Sequence, residues 1–518
     1  MVGVSRKHVW WALAAATSLV LVLFAGAAFA LRAGALKPRV IRALAEALNC
    51  DVTLDQLDVQ LVPVIKIVGD GLSVRLHGHP ELPPYIEVTR FTVNVGLLSI
   101  YRRHVDTVVL DGLRFNVPPT LTQNDAAGAT PASPAARAGR PLFSVNHLVA
   151  PEATVNFVGK VANSRPLSFA VHNLDVRNAG IDRAANFTAS VANPIPEGLV
   201  KVAGTFGPWN RDDPPQTPMG GTYDLPEGDL GSINGIFGRV QSAGAFSGQL
   251  ADIHVKGTSR TPDFSLDLGG APVQLDTKFV VTVNGTTGTT SLDRVDAMLI
   301  TTPLIVTGAF TNLPGDGNHD VTLAVEVTEG RIEDLLRLAI NTQKPVLIGD
   351  ISLKATVQLP PGVGTARHRL YAAGTFGFGR ARFTDKDVQG KLKELSRRGQ
   401  GKNQDEVISR VATSVSGTFS LMRGLLTFPR VEFAVPGAAI KLTGTYVMGT
   451  EALNFTGTAR LAVSLSRAVG GFKSIFIKPF NPFFRKNGDG AVIPIAITGT
   501  RGQPQFKLRL KQVFKKEK

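Results

Sequence analysis

The 518-residue chain contains a single cysteine, Cys50, so no disulfide can form within it. Cysteine usage therefore does not separate an oxidising from a reducing compartment. Tryptophan and tyrosine are scarce, at three and five residues, and among aromatics only phenylalanine is plentiful, at 28. Acidic residues do not balance the basic ones: the formal charge is +15, which suits anionic partners such as lipid head groups or nucleic acid. Nucleic-acid binding calls for a basic stripe with stacking aromatics or a known reader motif, and neither is present. Catalytic signatures are missing too. Gly159-Lys160, Gly390-Lys391 and Gly401-Lys402 lack the Ser or Thr of a phosphate-binding loop, and no Gly-x-Ser-x-Gly elbow occurs. His77 and His79 offer two metal ligands without a third, beside Pro80, Pro83 and Pro84, which mark a loop. Asp316-Gly-Asn318-His-Asp320 opens like a calcium loop, but Val321 stands where a glycine belongs and no glutamate closes it, so a hairpin turn is expected. These absences point to a protein that is not an enzyme and uses no cofactor or metal.

One stretch bears on the compartment. Residues 9–31 carry no charge, and that length crosses a bilayer as a helix. Arg6 and Lys7 precede it while Arg32, Lys37, Arg39 and Arg42 follow, so charge bias does not fix its orientation. An uncleaved anchor, with residues 1–8 left in the cytoplasm, competes with a signal peptide cut after Ala28-Phe29-Ala30. The length of the apolar run favours the anchor. On either reading the body leaves the cytoplasm.

What the sequence has in abundance is alternation of apolar and polar residues, the mark of strands with one apolar face. Pro38 opens an amphipathic helix through Leu48, and strand-like segments follow up to Val117, giving a small α/β module over 32–117. Residues 118–141, rich in Ala, Pro, Gly and Thr, read as a disordered linker. From 142 to 518 strands dominate. Val321, Leu323, Val325 and Val327 share a face, as do Leu353 and Val357. Leu453, Phe455, Leu461, Val463 and Leu465 lie along the longest such ribbon. Glycine steps such as Gly204-Thr205 and Gly374-Thr375 mark bulges or bends at which a sheet can curl. Short helices are expected at 333–340 and, as a polar helix or loop, at 385–404. The stretch 257–268 (GTSRTPDFSLDL) recurs as 499–510 (GTRGQPQFKLRL), so that Phe264, Leu266, Leu268 and Phe506, Leu508, Leu510 fall at every second position.

The fold expected is mainly β: a transmembrane helix, the α/β module, then an elongated, curled antiparallel sheet with a few short helices. Few amphipathic helices are available to cover so many apolar strand faces. A curled sheet with acyl chains in its gap resolves that mismatch. Some 20–25 strands about 4.8 Å apart would make a trough on the order of 100 Å long. The alternating apolar residues named above are the candidate groove lining. Near the end, FKSIFIKPFNPFFRK combines Phe472, Phe476, Phe480, Phe483 and Phe484 with Arg485 and Lys486. That mixture suits a membrane interface, and a core-packing cap with solvated charges accounts for it equally.

In their order along the chain these features resemble the AsmA family of bacterial envelope proteins. The likeness rests on the anchor, Leu97-Leu98-Ser99, Leu110-Asp111-Gly112, Gly257-Thr258 with Pro262 and Phe264, residues 331–336 (RIEDLL), residues 470–474 (GGFKS) and residues 488–510. It covers nearly the whole chain. The resemblance implies an inner-membrane anchor with the body in the periplasm, kinship to bridge-like lipid-transfer proteins with apolar β-grooves, and a part in phospholipid traffic or assembly of the outer membrane. The partners expected are membrane phospholipids, the inner membrane and an outer-membrane protein, not nucleic acid. A lipid conduit and a non-catalytic assembly factor that pairs strands with its clients both remain open.

Overall fold

The computed structural model describes residues 36–508 except 49, 61–64, 77–82, 97–103, 118–143, 158–166, 180–182, 209, 211–213, 234, 286, 313–318, 363–365, 385, 401–412 and 463–490. The described chain forms one sheet of 26 strands with a few short helices. Almost every strand pairs with the next in antiparallel register, from Cys50–Thr53 to Gln503–Leu508. Three rungs are each broken in two. Cys50–Thr53 and Gln56–Gln60 share the partner Ile65–Leu76. His104–Asp111 and Leu113–Val117 share Ile86–Val95. Ile236–Phe237 and Arg239–Gln249 share Asp252–Leu266. The ladder thus has 23 rungs, which at about 4.8 Å per rung is on the order of 100 Å.

The sheet is mixed at one joint. Ser144–Phe157 runs parallel to both halves of the rung made by His104–Asp111 and Leu113–Val117. Strands on either side of residues 118–143 therefore lie in the same sheet, which corrects the expectation of a separate α/β module. A helix does form over Leu36–Leu48, and Ile41 packs against Leu54, Val88 and Phe91. Its strands carry on into the long ladder. The expected transmembrane span at 9–31 lies outside the described residues, as does the expected linker. No described helix is long and apolar enough to cross a membrane.

Bulges near one set of strand ends bend the sheet. Register shifts occur at Leu225/Gly228, Thr261/Phe264, Val327/Gly330, Ile348/Asp350 and Phe378/Ala381. All lie within a few residues of the side where the loops at 230–239, 267–272, 300–301, 332–346 and 384–412 emerge. An extra residue in one strand increases local twist and turns the strand. At Gly330 a Cβ would collide with Thr302 and Val327, so only glycine fits the bend there.

Two clusters of the core centre on Leu54, Val88 and Phe91 and on Ala150, Ala153 and Val171, and a further part runs along that bent rim. Leu225, Val240, Val273, Leu299, Val327, Ile332, Leu347, Ile351, Ala381, Val435, Ala438 and Leu461 are all buried near these strand ends. A short helix, Ile332–Arg337, seals part of it: Leu335 and Leu336 pack onto Val327, Ile351 and Ala381. Buried Asp334 fixes the helix by accepting hydrogen bonds from Thr301 N (3.1 Å), Thr301 Oγ1 (2.7 Å) and Thr302 Oγ1 (3.0 Å). Glu333 and Asp334 in the first turn and Arg337 in the last also complement the helix dipole. The helix is shorter than expected, because Leu338–Ile340 close as turns onto Leu335 and Leu336 carbonyls. A second helix, Lys386–Gly399, is held at the same rim, where Ser396 Oγ donates to Pro436 O at 2.8 Å.

Candidate functional site

Away from the rim the sheet has two chemically distinct faces. Along Leu347–Leu359, Ser352, Lys354, Thr356 and Gln358 are exposed, while Leu353, Ala355, Val357 and Leu359 are half-buried. The same alternation runs through Glu197–Phe206, Arg239–Gln249 and Asp252–Leu266. Register carries the apolar face from strand to strand. Tyr223, Gly244, Gly257, Phe279, Val295, Val306, Val325, Ala355, Gly374 and Phe419 are successive cross-strand partners. Beyond a bulge the row continues through Phe428, Gly444, Phe455, Ile497 and Phe506. A parallel row runs from Phe246 through Val255, Val281, Leu292, Gly308, Leu323 and Val357. In a closed two-layer core such mid-strand residues would be fully buried. Most of these remain half-covered.

Glycine on this face is a packing device. The ring of Phe455 lies over Gly444, that of Phe376 over Gly417, and those of Tyr223 and Phe279 over Gly257, each where a Cβ would stand. These aromatic side chains occupy the space that a Cβ at each glycine would take. Toward the C-terminal strands the lining becomes aromatic. Phe376 lies 5.0 Å from Phe378 and 6.1 Å from Phe428, and Phe428 lies 5.6 Å from Phe455, measured between centroids.

Charge is kept on the other face and paired there, between neighbouring strands for Lys354 with Glu326 (2.7 Å) and Lys441 with Glu432 (3.1 Å), and within one strand for Arg294 with Asp296 (2.7 Å) and Arg430 with Glu432 (2.9 Å). Hydrogen bonds from Lys441 and Arg430 hold the Glu432 carboxyl below its usual range, and Arg294 does the same for Asp296. A cavity of about 670 Å³ opens among Arg331, Asp350, Ser352, Gly377, Arg380 and Ser416. Its arginines are neutralised, Arg380 by Asp350 and Arg331 by Glu333, and Ile351, Phe378 and Val415 line it beside the polar groups. Among the described residues no three His, Cys, Asp or Glu side chains gather as a metal site. His77, His79 and Asp316 lie outside those residues.

Of the lining residues expected from sequence, Val321, Leu323, Val325, Leu353, Val357, Leu453 and Phe455 fall on the half-covered face. So do Phe264 and Leu266, which the bulge after Thr261 keeps in phase. Three assignments change. Val327 and Leu461 are 1% and 3% exposed, so they belong to the sealed rim and line nothing open. Leu268 sits in the turn after its strand ends at Leu266. The two copies of the recurring stretch also differ: the first runs within one strand, whereas the second bends through a hairpin at Arg501-Gly502, with Gly499 at φ +92°. Phe506 is 52% exposed on the last described strand, and Leu508 pairs in register with Ile495. Val463, Leu465, Leu510 and the interface candidates Phe472, Phe476, Phe480, Phe483, Phe484, Arg485 and Lys486 lie outside the described residues. Leu461 and Ala491, on either side of residues 463–490, are register partners at the rim. The phenylalanine cluster and the glycine–ring pairs escaped sequence reading, since register between strands decides which ring meets which glycine.

No protein-family model, curated protein or solved structure matches the chain.

Proposed function

We propose that the chain binds and conveys phospholipid, with acyl chains lying in a groove formed by the apolar face of its curled sheet. The supporting observation is the half-covered apolar face that register carries across successive strands from Tyr223 to Phe506. Contact with hydrocarbon removes such a face from water, at about 0.8 kcal/mol for each methylene buried. With charges confined to the opposite face, such binding selects hydrocarbon and tolerates many head groups. An anchor at 9–31 in the inner membrane, with the body in the periplasm, would hold the groove against a bilayer and let it support outer-membrane lipid homeostasis without catalysis. The test is gentle extraction followed by mass spectrometry of copurifying lipid. Wild-type protein should carry phospholipid, and Val325→Asp, in the middle of the face, should carry much less while staying folded. Wild-type protein free of lipid sinks the reading.

A second reading draws on the sheet's end. Among the described residues Gln503–Leu508 bonds to one strand only, and an open edge can accept a client strand during outer-membrane assembly. Envelope function that survives Val325→Asp would favour it.

A further inference from the structure

On one patch the apolar face turns hydroxylic. Ser242, Ser259 and Thr277 are successive register partners on three adjacent strands. They lie in the row that reads Leu225 before them and Ala297 after them. Tyr223 reaches the patch from the neighbouring row, its hydroxyl 3.0 Å from Ser242 Oγ. Ser242 Oγ in turn donates to Thr258 O at 3.0 Å, which leaves the Tyr223 hydroxyl as donor in their bond. Ser259 Oγ and Thr277 Oγ1 are 2.7 Å apart. One of those two donates to the other, and the acceptor's own hydrogen remains uncommitted. All four side chains are half-buried. The charged residues of these strands, such as Arg260 and Lys278, fall at the opposite parity and pair or stand exposed on the other face.

We propose that this patch receives the ester linkage of an acyl chain. The inference rests on the lipid-binding reading above and narrows it. A neutral, half-covered donor set between apolar neighbours suits a neutral acceptor joined to hydrocarbon, and an acyl ester carbonyl is such a group. A bare phosphate would need a cation there, and the patch offers none. The ester carbonyl accepts the spare hydroxyl hydrogen of Ser259 or Thr277, and the chain beyond it follows the apolar rows.

The test incubates the full-length protein with an equal mixture of diester and diether phosphatidylcholine of identical chain length, and mass spectrometry reads the bound ratio. Wild type should enrich the diester about three- to tenfold, the worth of one hydrogen bond. Ser259→Ala with Thr277→Val should bring the ratio to one while total bound lipid holds. Ser259→Cys with Thr277→Val, which keeps both side chains close to their native shape while removing the strong hydroxyl donors, carries the same comparison if the first double variant does not fold. Equal binding of both lipids by wild type overturns the ester assignment and leaves lipid binding intact. A preference that persists in the variants overturns it too. Protein that takes up neither lipid overturns both readings.

Discussion

The bent rim and the middle of the sheet are built from the same alternating apolar residues and meet different fates. At the rim, bulges turn the strands and the helices Ile332–Arg337 and Lys386–Gly399 are pinned there, so that Val327 is 1% exposed. A few residues along the same strand, Val325 and Leu323 are half-covered. The difference shows that alternation alone does not decide whether an apolar side chain becomes core. Its distance from a bulge and from a capping helix does. In these strands the sealed core lies at the rim, and the proposed hydrocarbon contact would fall in the middle.

The largest expected effect breaks the rim. Leu461→Asp places a carboxylate among buried Ala438, Ala459 and their neighbours, and an unpaired buried charge should cost about 4 kcal/mol or more. Thermal unfolding should show it, with soluble yield falling as well. Val325→Asp, the same type of change on the half-covered face, should cost less than half as much. Comparable melting temperatures for the two would erase the distinction drawn here.

Asp334→Ala comes next. It leaves the Thr301 and Thr302 donors without their carboxylate at the seal between strands and helix. Hydrogen bonds to a charged group are each worth about 1.5–3 kcal/mol, and relaxation with water entry should keep the net loss near 3 kcal/mol. Hydrogen exchange should report faster opening of residues 332–337 than of the 273–299 strands. Uniform protection would show that the helix is not held by this carboxylate.

On the middle face, Gly444→Ala is the sharper probe. Its new Cβ would meet the Phe455 ring at 2.5 Å and Asn454 O at 2.5 Å, so ring and backbone must both give way, at about 1–3 kcal/mol. A lifted ring also obstructs the proposed lipid path, so bound lipid should fall. Gly449→Ala meets nothing within 4 Å and should leave both stability and lipid unchanged. A Gly444→Ala variant with full lipid content would detach the ring from the path.

Much of this was legible in the sequence. The strands, their faces, the approximate rung count and both short helices follow from period and turn residues, because local sterics set them. Register across the sheet does not, since it depends on bulges such as Val327/Gly330 that no local signal positions. Val327 and Leu461 read as lining when they are core, because alternation reports which face a residue takes and not how close it lies to the sealed rim. The same limit is why the matching stretches at 257–268 and 499–510 read as the same element, although one is a strand and the other a hairpin. The parallel joint at Ser144–Phe157 was hidden for a further reason: it pairs segments on either side of residues 118–143, and no periodicity reports orientation between such segments.

The smallest effect concerns the charged face. The carboxyls of Glu432, Asp296 and Asp175 are held below their ordinary range, by Lys441 and Arg430, by Arg294, and by His147 with Arg177 respectively. A folded pKa depressed in this way adds stability above the unfolded value, near 4, and that contribution is lost as pH falls through the folded value. Because these pairs are exposed, each contributes little, and salt should screen them. Melting temperature should therefore drift down modestly below about pH 4 and with added salt, while lipid retained at the same pH stays constant, since no charged pair lies on the apolar rows. Release of lipid in step with protonation of these carboxylates would tie the two faces together and remove the division of labour between them.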